Sequence, residues 1–470
     1  MLERLENPVF RQASRQRMRG ARTYGCLLAY LLTLALVVIT AYDQFTAHSA
    51  QRTTTGLAQT LFETLTLTQW FLVALVTPAL TTSAITMERE QRTIDLLIMT
   101  PLSRFAIVWG KFTSALAFVV VMILCGMPLV AVLFLMGGID VGAMVVRYAG
   151  MVLVSAVLAS FGLMMSAVCG TSTLANLITY GLVGVLYFVG ALAGTALVMS
   201  RAFGGSSGIS TTVFGLTTWQ FWMFTLGSVF LTVWLFLQIA ANYLLLDPRE
   251  GAWKTRLLTA VLYLWSVSTT VLGLQNSPSL ISGQDLLAML MMTWLAPIGV
   301  AVSTGVPMTG RRWYEWLHPR ALAVGTVQSA PLYLVLLFMA TLMGGLWVPA
   351  SFRSSAVVWV FCAGYLWWLW SLGYAFSTLI PNRWGAGTAL VGAIALGVQF
   401  VSTLSEVLDY RALYTFINLF VPFAPFAPRN LPSNVELWAA LYPALGLVVT
   451  IGTALIRRRR ERREVDRGDG

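Results

Sequence analysis

Charged side chains are scarce in this sequence of 470 residues: they make up 10% of it, against 57% hydrophobic residues, and the mean hydropathy is +0.76. A soluble globule needs far more polar surface, so most of the chain is predicted to lie in lipid. The net charge of +11 does not indicate a nucleic-acid partner, because the basic residues form short blocks between apolar segments rather than one basic face.

Residue types that carry chemistry are equally rare. There are two histidines and four cysteines, with no Cys-x-x-Cys pair, which argues against a metal site or a disulfide framework. No acidic residue lies at the centre of a predicted membrane helix, where an ion-driven carrier needs one. The pair Gly110–Lys111 lacks the upstream glycine of a P-loop. We therefore predict no catalytic residue, no bound cofactor and no metal, and a chain that is not itself an enzyme.

What the sequence has in abundance is apolar segments of about 20 residues, the length needed to cross the ~30 Å core of a bilayer. They predict an all-α polytopic membrane protein with about twelve transmembrane helices. The predicted spans are 23–42, 67–87, 105–136, 145–169, 173–200, 219–246, 257–274, 285–305, 323–348, 356–380, 387–405 and 435–456.

The distribution of lysine and arginine predicts the orientation of these spans. With the N-terminus inside, 24 of the 30 basic residues fall on the inner side of the membrane. Basic residues concentrate in cytoplasmic loops, so both termini are predicted to be cytoplasmic. The expected location is the bacterial inner membrane, in contact with membrane lipids.

Landmarks recur along the chain and predict two parallel six-helix repeats. In each half a basic lead-in precedes a pair of spans, and a cytoplasmic excursion then ends at a proline, Pro101 or Pro319. We predict a first membrane half at 1–250, a second, degenerate half at 251–456, and a basic cytoplasmic tail at 457–470.

The first excursion carries a short apolar stripe. Ile94, Leu97 and Ile98 follow the spacing of one helix face, and Pro101 ends this helix or starts the next. Such a stripe suits insertion into a groove of another protein. An interfacial hairpin resting on lipid headgroups suits the spacing equally well, and periodicity does not decide between them.

This stretch resembles the permease subunits of the ABC-2 family, the membrane partners of ATP-binding-cassette ATPases. The resemblance rests on the glutamate-rich start, Thr93 with its hydrophobic followers, the Thr-Pro-Leu-Ser turn at 100–103, and Gly110–Lys111. It implies that residues 88–103 are a coupling helix that docks in a cleft of a partner ABC ATPase, which is expected to be a dimer and to use the ATP. The docking residues it implies are Glu88, Glu90, Thr93, Ile94, Leu97, Ile98, Thr100 and Pro101.

The N-terminal segment also resembles that family, in its interfacial elbow. The elbow residues are Asn7, Pro8, Arg11 and Arg15. The second excursion departs from the family pattern, and its stripe of Trp313, Trp316 and Leu317 is a candidate for weaker ATPase docking or for anchoring at the membrane interface. Whether one chain or two self-associating copies form the transmembrane unit stays open.

The resemblance implies a permease that exports a lipid-like, amphipathic or drug-like substrate, driven by a separately encoded ATPase. Two other classes remain as alternatives. A twelve-span secondary carrier also fits two parallel six-span halves. A membrane-embedded enzyme acting on lipid-linked substrates fits less well, because the outer loops hold only scattered acids, histidines and arginines.

Overall fold

The computed structural model describes the N-terminal part of the chain most fully. The described residues are 8–18, 21–48, 54–93, 102–137, 139–181, 183–184, 212–213, 216–244, 252–276 and 435–468, with isolated positions between 335 and 375. Residues 1–184 and 232–244 form one compact unit, and residues 185–231 and 245–470 form a second.

Nearly all described residues are helical. The helices are α1 Pro8–Met18, α2 Ala21–His48, α3 Thr54–Thr81, α4 Thr86–Glu90, α5 Arg104–Leu135, α6 Val141–Val168, α7 over 172–181, α8 Thr218–Tyr243, α9 Ala252–Asn276 and α10 Val435–Gly468. The all-α prediction is confirmed for the described residues; the one short exception precedes α8, where strands β1 Thr212–Val213 and β2 Leu216–Thr217 pair antiparallel.

Within the described ranges, five helices are long and apolar enough to cross a membrane. They are Tyr24–Gln44, Gly56–Glu90, Arg104–Leu135, Met144–Val168 and Trp222–Tyr243. These match the first four predicted spans and the sixth, so the chain is a multi-pass α-helical membrane protein. Helix α9 encloses the predicted span 257–274, and α10 covers the predicted 435–456 and continues through the basic block that follows.

The structure describes few residues of the other spans predicted in the second half. The predicted spans 285–305 and 387–405 lie outside the described residues, and only isolated positions are described within 323–348 and 356–380. The twelve-span, two-repeat architecture therefore stays a prediction.

Helix α3 begins at Thr54 and not near the predicted residue 67, which corrects the second span. Threonines dilute the hydropathy of this segment, but each hydroxyl donates to the backbone carbonyl four residues earlier: Thr60 to Gly56 at 3.0 Å, and Thr64 to Thr60 at 2.9 Å. The polar groups are thus satisfied within the helix. Leu57, Leu61 and Leu65, spaced by four, turn one face into the core.

Helices α3 and α6 run parallel to each other. Arg147 Nη2 lies 3.7 Å from Glu63 Oε1, and Arg147 also stands over the Phe62 ring, 5.1 Å from its centroid. Further along both helices, Trp70 faces Gly150 and Thr81 faces Gly162. Residue numbers rise together in the two helices, so the end of α3 and the end of α6 lie on the same side of the bundle.

The core of the first unit lies between α2, α3, α5 and α6. Its largest fully buried side chains include Leu34, Leu65, Met122 and Met151, one from each helix. Helix α1 packs mainly against α5. Burial of such side chains, each worth about 1.5–3 kcal/mol in water, packs these four helices against one another.

A polar contact lies inside this core. The hydroxyl of Tyr148 donates to Gln69 Oε1 at 2.7 Å, and both side chains are buried. Gly126 makes room for the Gln69 amide, since a Cβ at this position would overlap Nε2. A hydrogen bond between side chains satisfies polar groups that lipid would leave unpaired.

In the second unit, glycine again makes room for tryptophan. Gly227 faces the ring of Trp265, whose indole N–H donates to the Phe224 carbonyl at 3.3 Å. Gly446 lies against Trp367 in the same way. Large rings and small residues therefore alternate at the helix contacts of this unit.

Candidate functional site

The short helix α4 lies between the ends of α3 and α5 and touches three other helices. Its first N–H groups would lack partners, as at any helix start. A hydroxyl from α6 supplies the acceptor: Ser166 Oγ accepts from the backbone N–H of Ile85 at 2.9 Å and of Thr86 at 3.1 Å. Thr86 is fully buried, so the start of α4 is fixed against α6.

The second contact joins α4 to α5 through an ion pair. Lys111 Nζ lies 2.5 Å from Glu88 Oε2 and donates to the Ala84 carbonyl at 2.6 Å. The lysine side chain is 8% exposed and the glutamate 33%. Glu88 Oε2 is itself buried and makes no aligned hydrogen bond, so its contact with Lys111 is ionic. A charge this deep needs a partner, and each residue supplies it for the other.

The third contact joins α4 to the end of α6. Arg89 donates from Nη1 to the Cys169 carbonyl at 2.9 Å and from Nη2 to the Ala167 carbonyl at 3.1 Å. The last carbonyls of a helix have no partner within it and carry partial negative charge. The two-pronged guanidinium satisfies two of them at once, which a lysine ammonium does less well.

The fourth contact joins α4 to the start of α7. Glu90 Oε1 accepts from the Ser172 hydroxyl at 2.5 Å and from the Ser172 backbone N–H at 2.9 Å. The hydroxyl and then the backbone hydrogen bond stabilise the carboxylate and lower the pKa of Glu90. A carboxylate at the positive end of a helix is also favourable. Three consecutive side chains therefore tie α4 to three different helices.

Helix α4 ends in a left-handed turn. Arg92 has a φ of 57°. Its N–H donates to the Arg89 carbonyl at 3.1 Å, and the N–H of Thr93 donates to the Glu88 carbonyl at 2.9 Å. These two bonds form a Schellman motif, which closes the helix and turns the chain away. The coupling helix predicted over 88–103 is therefore not continuous, because α4 ends at Glu90 and the chain turns at Arg92.

The ends of α3, α6 and α7 also meet beside α4 at small and hydroxyl-bearing residues. Gly162 allows close approach of Thr81, whose Cβ would lie 3.3 Å from a Cβ on the glycine. The Thr82 hydroxyl bonds to Asn176 Oδ1 of α7. We call α4 with Lys111, Ser166, Cys169 and Ser172 the α4 junction.

After the excursion, α5 starts at Arg104 with Ser103 as its cap. Ser103 Oγ accepts from the Ala106 N–H at 3.2 Å, and its backbone is extended. The serine of the Thr-Pro-Leu-Ser turn therefore begins the helix that carries Lys111. The lysine lies less than three turns from this start.

The predicted docking residues fall into two groups. Glu88, Glu90 and Thr93 lie in or directly after α4, and the two glutamates contact their own chain. The others lie outside the described residues, as do the second-excursion candidates; they are Ile94, Leu97, Ile98, Thr100, Pro101, Trp313, Trp316 and Leu317. Their docking role stays a prediction.

The elbow residues lie away from the junction. Pro8 begins α1, on which Arg11 and Arg15 are exposed, and Asn7 lies outside the described residues. Sequence reasoning missed Arg89 and Ser172 as contacts, and it treated Lys111 only as part of a Gly-Lys pair. A lysine this far inside an apolar helix was the available signal, because such a charge requires a partner.

Comparison with known proteins gives one match. Residues 8–203 match the family model described as ABC-2 family transporter protein. The matched region contains the whole α4 junction. No curated protein and no solved structure matches the chain.

Proposed function

We propose that this chain, whose residues 8–203 match the model of the ABC-2 family of transporter proteins, is the permease subunit of an exporter driven by a separately encoded ABC ATPase. ATP is bound and hydrolysed by that partner, which acts as a dimer. The partner docks on the cytoplasmic excursion between α3 and α5, over residues 88–103.

The α4 junction is the observation that carries this proposal. A segment moved by a docked ATPase drives transport only if it is attached to the helices that line the path. Here Glu88, Arg89 and Glu90 attach the excursion to α5, α6 and α7. Packed helices and ion pairs transmit displacement because they are rigid over these distances.

The proposed cargo is lipid-like, amphipathic or drug-like. Its support comes from the sequence, since the outer segment 406–434 alternates phenylalanine and proline near its end. That segment lies outside the described residues. Uptake of an amphipathic fluorescent dye by inside-out vesicles tests the proposal, and it should require ATP and survive collapse of the proton gradient. A secondary carrier would show the opposite dependence.

Co-purification from the native host tests the docking claim directly. Tagged wild-type chain in mild detergent should bring down an ATPase subunit, and Leu97→Lys should lose it, because the lysine places a charge on the predicted apolar stripe. Leu135→Lys is the matched control, as Leu135 is 87% exposed at the opposite end of α5. Docking on this excursion is wrong if no ATPase is recovered, or if Leu97→Lys recovers as much as the control.

A further inference from the structure

Helix α4 and the turn after it have two faces with different contacts. On the inward face, Glu88, Arg89 and Glu90 bond to α5, α6 and α7. On the outward face, Met87 is 50% exposed, and the residues of the turn, 91–93, are exposed as well. The family resemblance assigned docking to the glutamates, but their carboxylates already have partners.

We infer that Met87 and residues 91–93 form the ATPase-contacting surface of this part of the chain, whereas Glu88, Arg89 and Glu90 are positioning residues. This inference rests on the proposed function and assigns binding of the ATPase and transmission of its movement to different residues. The outward residues determine how tightly the partner binds. The inward residues determine how much of its movement reaches the membrane helices.

The burial of Lys111 is the first reason for this division. If Glu88 turned outward to bind a partner, Lys111 would lose its ionic contact while 8% exposed. A buried charge left without its counter-charge is strongly unfavourable. Arg89 is also held on the inward face, because Nη1 and Nη2 of its guanidinium both donate to carbonyls at the end of α6. Docking through these side chains would dismantle the junction.

The chemistry of the outward face specifies the partner surface. Met87 is a flexible apolar side chain that fills irregular pockets. Arg92 adds an exposed positively charged side chain, and the left-handed turn that closes α4 fixes its backbone. The complementary surface is an apolar pocket with carboxylates at its rim, in a cleft of the ATPase.

The test separates binding from stimulation in the reconstituted complex. The ATPase recovered with wild-type chain is purified and titrated onto the permease in nanodiscs, and both the Kd and the permease-stimulated rate of ATP hydrolysis at saturation are measured. Met87→Asp and Arg92→Glu should weaken binding about tenfold or more, with a saturated rate within about twofold of wild type. Arg89→Gln should leave the Kd within about twofold and lower the stimulated rate at least about fivefold.

Two further variants keep the result interpretable. Arg89→Lys keeps the charge but loses the two-pronged geometry, so its stimulated rate should fall between wild type and Arg89→Gln. Glu90→Gln should likewise lower the rate and spare the Kd. The inference is overturned if Arg89→Gln weakens binding as much as Met87→Asp, or if Met87→Asp and Arg92→Glu both bind normally, as lipid contact of this face would give. If wild-type chain binds no ATPase at all, the proposed function fails instead.

Discussion

Replacing Lys111 by methionine should destabilise the chain much more than breaking the exposed ion pair of Glu63 and Arg147. Methionine keeps the length and apolar stem of lysine and removes only its charge and its donor. The loss therefore reports on the contacts with Glu88 and the Ala84 carbonyl, at 2.5 and 2.6 Å.

The expected magnitude follows from burial. Removing one member of a buried pair costs about 3–5 kcal/mol, because the other charge remains without compensation. Glu88 is 33% exposed, so water recovers part of this loss and about 2 kcal/mol is expected. The Glu63–Arg147 pair has a separation of 3.7 Å and exposures of 62% and 38%, so Arg147→Met should cost about 0–1 kcal/mol.

Reversible unfolding in mixed micelles of increasing SDS content measures both values. A double variant Lys111→Met with Glu88→Leu should recover most of the stability, since it also removes the stranded carboxylate. The reasoning is refuted if Lys111→Met unfolds within about 0.5 kcal/mol of wild type, the range of an ordinary surface substitution. It is also refuted if the double variant is as unstable as the sum of the single ones.

Three other outcomes are expected. Thr81→Cys with Gly162→Cys should form a disulfide on mild oxidation in a background without native cysteines, because the 3.3 Å Cβ separation is close to the ~3.5–4.5 Å of disulfides. Non-reducing mass spectrometry detects the bond, and either single variant should show none. Arg92→Gly should be neutral or up to about 1 kcal/mol stabilising in the SDS titration, since glycine tolerates a φ of 57°, whereas Arg92→Val should destabilise. The bonds of Glu90 to Ser172 should persist above the usual carboxyl pKa and be lost as the pH falls through the lowered pKa of Glu90, which faster amide exchange at Ser172 would reveal; Glu90→Gln should remove this pH dependence.

Hydropathy predicted the membrane helices best where apolar side chains predominate along the whole helix. The predicted 105–136 and 145–169 lie within a few residues of α5 and α6. It failed at the start of α3, where threonines lower the hydropathy while bonding back to their own helix. A hydropathy scale assigns the hydroxyl its cost in lipid but cannot include the carbonyl four residues earlier that removes this cost.

The α4 junction was less accessible to sequence reasoning. The family resemblance implied a coupling helix over residues 88–103, but the chain turns at Arg92, where no glycine or proline marks a break. The partners of Glu88, Arg89 and Glu90 lie on helices that only the packed bundle brings near. The sequence shows that charged residues are concentrated in this segment, but only the fold shows which residues they bind.

Because α3 and α6 run parallel, the α4 junction contacts the ends of both helices. Helix α3 has 28 residues and so extends about 42 Å, more than the hydrocarbon core of a bilayer. Because α3 and α6 run in the same direction, their C-terminal ends lie together. Helix α4 follows α3 in the chain, and its Arg89 donates hydrogen bonds to carbonyls at the end of α6. A displacement of α4 therefore acts on both helices from the same end, with the same sense. Towards their other ends Arg147 lies 3.7 Å from Glu63 and stands over the Phe62 ring, so the two helices stay in contact along most of their length.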